Sequence, residues 1–106
     1  MIHVTIDPDK LHIRMQGHAG SVAQGNDLVC CAASTLLQAM VFSCERMRCA
    51  GACCRVKARM DWGDADVQLF PEDGCGLEAY SRFEMAADGL LLLAGNFPAC
   101  VGITFA

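Results

Sequence analysis

The chain has 106 residues, 54% of them hydrophobic and 19% charged, with a formal net charge of −4. That length suits one domain spanning 1–106 with a modest core, and the apolar content is high for such a core, so some apolar surface is expected to be buried against a partner. The acidic balance argues against nonspecific nucleic-acid binding.

From the N-terminus, Ile2, Val4 and Ile6 alternate with polar residues, Asp7-Pro8-Asp9 reads as a turn, and Leu11, Ile13 and Met15 alternate again. The pattern predicts a hairpin of two half-buried strands. Met1 to Asp7 lacks the charged start and apolar run of a signal peptide, so a cytoplasmic location is expected. His3 and His12 fall on adjacent strands and read as surface residues, since two imidazoles without a third partner make a poor metal site.

The segment Gly17 to Ser34, GHAGSVAQGNDLVCCAAS, carries the most chemistry. Apolar residues recur densely from Leu28 to Met47 and predict a helix, with Asn26 or Asp27 as its N-cap after Gly25. Cys30 would then lie in the first turn, near unpaired backbone N–H groups that favour a thiolate and can hold an oxyanion. Ser34 follows one turn later on the same face. His18, at the end of a strand, is placed to accept the thiol proton. Cys31 is the rival nucleophile, but consecutive helix residues point about 100° apart, so only one of the two faces His18. The loop from Ala19 to Asn26, which follows Gly17 and His18, can fold over the gap between His18 and Cys30, and Gly20 and Gly25 permit it to rearrange.

After Ala50-Gly51, Cys54, Val56, Ala58, Met60 and Trp62 alternate with charged residues as a half-buried strand, and Gly63-Asp64 turns into a strand through Ala65, Val67 and Leu69. A second helix is predicted from Cys75 to Ala94, with Tyr80, Phe83, Ala87, Leu90, Leu91 and Ala94 as its apolar face. The uncharged run from Gly89 to Ala106 is long enough to raise a membrane span, yet its glycines, Asn96 and Pro98 point to a helix end, a turn and a core strand through Val101, Ile103 and Phe105. The order is strand, strand, helix, strand, strand, helix, strand: an α+β, two-layer arrangement with two helices packed on a mixed β-sheet.

Eight cysteines are many for this length. The crowding of Cys30-Cys31 and Cys53-Cys54 argues for reduced thiols, with Cys44 on the first helix and Cys54 and Cys100 on strands. Cys44, Cys49, Cys53 and Cys54 have no common zinc spacing, so neither metal nor cofactor is expected. The basic residues Arg46, Arg48, Arg55, Lys57 and Arg59 read as a solvated face. The acidic residues that dominate the second half could attract a basic peptide.

The pattern Gly17-His18-Ala19, then Gly25-Asn26-Asp27-Leu28-Val29-Cys30-Cys31-Ala32-Ala33-Ser34, resembles the signature of the ribosomal-processing cysteine protease Prp family. The segment Gly89-Leu90, Ala94-Gly95-Asn96-Phe97-Pro98 and a closing strand extend the resemblance along the chain; Cys31 and Phe97 depart from the alanine and tyrosine common in the family. The resemblance implies a Cys30 and His18 dyad, with Ser34 and Asp27 in support. It implies as substrate the precursor of the large-subunit ribosomal protein L-twenty-seven, cut after an aromatic residue to remove an N-terminal extension. Neither nucleic acid nor membrane is expected as a partner. A homodimer is expected, because Leu90, Leu91, Leu92 and Leu93 cover more than one helix face and the family tends to pair. Two other classes stay open: a non-catalytic ribosome-associated binding module and a thiol-rich redox or zinc-binding protein.

Overall fold

The computed structural model describes residues 1–17, 24–49, 54–61 and 63–106, with the side chains of 24–27 and 48–49 outside the description. In chain order the elements are β1 (Ile2–Asp7), β2 (His12–Gln16), α1 (Gln24–Cys49), β3 (Cys54–Asp61), β4 (Asp64–Pro71), α2 (Gly76–Asn96) and β5 (Val101–Phe105). The five strands form one sheet in the order β3-β4-β2-β1-β5. All neighbours are antiparallel except β1 and β5, which run parallel, so the sheet is mixed.

Alternation sets the faces of this sheet. Ile2, Val4, Ile6, Ile13, Met15, Ala65, Val67 and Leu69 are all buried on the helix side. His12, Arg14 and Asp66 lie on the outer face, where the His12 and Asp66 side chains meet at 2.6 Å and Arg14 lies 3.4 Å from the same carboxylate. His3 pairs with Gln16 and His12 with Asp7 in the β1–β2 register, so the two histidines sit at opposite ends of the hairpin. Asp7 Oδ1 accepts the amides of Asp9 and Lys10 and closes the first turn. Leu11 belongs to this turn and not to the strand: its φ is +51°, an uncommon conformation for a leucine. Burial of its side chain offsets the strain.

Both helices cover the apolar face, α1 against β3 and α2 against β4 and β5, and they pack on each other. The stretch Leu28–Met47 is long and apolar enough to cross a membrane by length and composition. In this fold one face of it (Val29, Ala33, Leu37, Met40, Cys44, Met47) is in the core. The core face of α2 is rotated from the predicted one: Ala79, Phe83, Ala86, Ala87 and Leu90 are buried, whereas Tyr80 and Leu91 are exposed. Ala86 faces a hollow that Leu36 and Met40 of α1 also line, and Phe83 and Leu90 belong to the core cluster that both helices share with the sheet. The edges also fall short of prediction. Ala58 on β3 and Phe105 on β5 point to the helix side but lie beyond the cover of either helix and are exposed. Cys100 sits in the turn before β5, not in the strand. The β3–β4 register joins Asp61 to Asp64, so Asp64 belongs to β4 and not to the turn predicted at Gly63-Asp64. Gly63 there has φ +76°, and Trp62 lies outside the described residues.

Candidate active site

Helix α1 begins at Gln24, four residues before the predicted start. Gly25, Asn26 and Asp27 therefore belong to its first turn and not to a loop or a preceding cap. Cys30, its seventh residue, is in the second turn, where backbone N–H groups bond within the helix. Any free helix N–H groups are supplied by residues 24–27 and not by Cys30 itself. His18, Ala19 and Gly20 lie outside the described residues, as does the side chain of Asp27.

Cys30 is half-buried and packs against the core cluster. It opens with Ser34 onto a cleft of about 60 Å³ at one end of the sheet, and the other walls include Gly17, Met60, Asp61 and Asp64. The i, i+4 spacing puts Cys30 and Ser34 on one face. Gly17 arrives from β2, and its amide donates to the Gly63 carbonyl at 2.9 Å. Its φ is +96°, and a Cβ there would stand 2.5 Å from the Met1 carbonyl oxygen, so glycine is required at this point. Cys31 is exposed and turned away from this cleft, lining instead a groove between α1 and α2.

Two carboxylates stand on the β3–β4 wall. Arg59 Nη1 donates to Asp61 at 3.0 Å and to Asp64 at 2.9 Å. These carboxylates hold the exposed guanidinium charged and leave one net negative charge beside the cleft. Spacing alone did not mark Asp61 and Asp64, because they reach the wall of the Cys30 cleft only through the tertiary fold, β3 pairing with β4, β4 with β2, and α1 packing on β3.

The other described cysteines play different parts. Cys44 on α1 and Cys54 at the start of β3 are buried against each other, with Cys54 also hydrogen-bonded through its thiol to a backbone carbonyl. Burial pushes the Cys44 thiol up to about 12 and raises Cys54 as well. These thiols are core groups and poor nucleophiles.

A family model described as Cysteine protease Prp matches residues 1–84. Among solved structures, the chain is similar to an essential ribosomal processing protease Prp from S. aureus in complex with a substrate peptide: TM-score 0.75, 20% identity, 100% of each chain covered. The complex of that protease with a covalently linked product peptide gives TM-score 0.74, 20% identity and 100% coverage of each chain. SMU.848 from Streptococcus mutans gives TM-score 0.70 and 22% identity over 98% of this chain and 90% of that one. At these identities the structural likeness carries the fold. No curated protein matches in sequence.

Proposed function

The chain belongs to the cysteine protease Prp family, and from that premise we propose that it removes an N-terminal extension from the precursor of the large-subunit ribosomal protein L-twenty-seven, using Cys30 as nucleophile and His18 as base. The observation that carries the reading is the cleft in which Cys30 and Ser34, one helical turn apart, face Gly17. His18 follows Gly17 directly in the sequence.

In the proposed reaction the imidazole of His18 takes the proton from the Cys30 thiol, and Sγ attacks the scissile carbonyl carbon. The tetrahedral intermediate collapses as the imidazolium returns the proton to the departing amine. A thioester remains on Cys30; water, deprotonated by His18, hydrolyses it and frees the acid product. A covalently linked product peptide on the S. aureus protease agrees with an acyl-enzyme of this kind. Ser34 supports the site, its hydroxyl one turn from the thiol. Asp61 and Asp64 favour a basic peptide near the cleft, in keeping with a ribosomal-protein substrate.

The test is incubation of the protein with the extended precursor, followed by mass spectrometry of the products. A single cut that leaves the mature N-terminus is expected. An intact precursor, with the protein folded and Cys30 reduced, overturns the reading.

A further inference from the structure

The helices α1 and α2 run antiparallel and touch at Leu36 and Gly89, where a Cβ on the glycine would stand only 2.6 Å from a Leu36 methyl. On one side of that contact the seam opens into a hollow of about 330 Å³, within the size range of small-molecule sites. Its apolar lining is Leu36, Ala39, Met40, Met85 and Ala86. It shares no residue with the cleft at Cys30 and is several times roomier.

One charge enters this lining. Arg82 is half-buried, its Nε donating to Ser43 Oγ on α1 at 2.7 Å and its Nη1 to the Glu78 carbonyl on α2 at 3.2 Å. Both acceptors are neutral. Glu78 lies one turn away, yet it engages Arg82 through its backbone and not its carboxylate. Among the described residues no acid forms an ion pair with Arg82, although the chain carries 12 acids to 8 bases; Arg14 and Arg59, by contrast, have carboxylates. A guanidinium has five N–H donors, so three remain after these two bonds. Ser43 also has capacity left: Ser81 gives its proton to the Leu77 carbonyl, whereas Ser43 is engaged only as an acceptor. The arrangement matches a planar anion, which a guanidinium binds through two parallel hydrogen bonds.

We infer that the hollow is a binding site for a free aliphatic monocarboxylate, with the carboxylate on Arg82 and Ser43 and the alkyl tail along Ala39, Met40 and Met85. Volume sets the tail. At about 30 Å³ for each small group, the share of a water in the liquid, the hollow takes a chain of about ten carbons. Charge sets the head. The hollow on the other side of Leu36, of about 460 Å³ among Leu28, Cys31, Leu92 and Leu93, has more room but no charged residue, so nothing in it selects an acid. An alcohol or an amine of the same length fills the space beside Arg82 equally well, yet the first gives the guanidinium no counter-charge and the second sets two cations together.

NMR of protein labelled at the methionine methyl carbons, titrated with sodium decanoate below its micellar concentration, reads this site without reference to peptide cleavage. Saturable shifts are expected at Met40 and Met85, with a dissociation constant on the order of 0.1–1 mM for a ligand of this size. Met15 and Met60, which line the cleft at Cys30, should not move. Arg82→Gln is expected to weaken binding about tenfold, as for the loss of a charge-assisted contact, and decanol to bind more weakly than decanoate by a similar factor. Ala39→Trp fills the hollow from an exposed position on α1, so it should block the ligand and leave thermal unfolding unchanged. Shifts confined to Met15 and Met60, decanol binding as tightly as decanoate, binding unchanged in Arg82→Gln or in Ala39→Trp, or no saturation at all overturns the proposal.

Discussion

The amide of Gly17 donates to the carbonyl of Gly63 over 2.9 Å, tying the end of β2 to the β3–β4 turn. Both glycines have positive φ, +96° and +76°. Both glycines line the cleft beside Cys30, together with Asp61 and Asp64.

Gly17→Ala should therefore damage both the fold and the site. The left-handed backbone costs an L-residue about 1–2 kcal/mol, and the new Cβ would press on the Met1 carbonyl, which cannot rotate away as a side chain can. Urea denaturation should show a loss of at least that size, with cleavage lowered further. A variant of unchanged stability would show that the β1 end yields without cost.

The nucleophile is tested by two alanine substitutions. Cys30 faces the cleft and Cys31 the interhelical groove. Cys30→Ala is expected to abolish cleavage, and Cys31→Ala to keep most of it; at limiting iodoacetamide, peptide mapping should find Cys30 labelled first. Activity in Cys30→Ala would reverse the assignment.

His18→Asn keeps a hydrogen-bonding side chain but removes the base. If His18 takes the thiol proton, turnover at neutral pH should fall about 10²-fold or more. Folding is to be verified by circular dichroism, and near-wild-type turnover would take His18 out of the reaction.

The Cys44 and Cys54 pair predicts alkaline instability. Burial raises the Cys44 thiol to about 12, against about 8.5 in an unfolded chain. The folded state therefore keeps a proton that the unfolded state gives up as pH rises. Stability is full below about pH 8.5 and falls by about 1.4 kcal/mol per pH unit for this thiol between there and pH 12. Denaturation midpoints at pH 7, 9 and 10.5 measure the slope. Cys44→Ala should flatten it, and an equal slope in that variant would locate the effect elsewhere.

Period-two alternation was enough to determine the five strands and, for β1, β2 and β4, their buried faces, because the middle of the sheet must exclude water on its helix side. The i, i+4 spacing likewise placed Cys30 and Ser34 together, and the 100° step separated Cys30 from Cys31. The sequence did not show which side of α2 is buried, since its apolar residues extend around the helix and only contact with α1 decides among them. It also did not reveal the strand pairings and the packing of α1 on β3 that place Asp61 and Asp64 on the wall of the Cys30 cleft, or the start of α1 at Gln24. Local propensity at Asn26 and Asp27 favoured a cap, yet the helix extends through them. Patterns carried within one element can be read from the residues themselves. Relations between elements distant in sequence, such as Gly17 with Gly63 or Arg82 with Ser43, depend on which surfaces pack together, and the tertiary structure alone decided those.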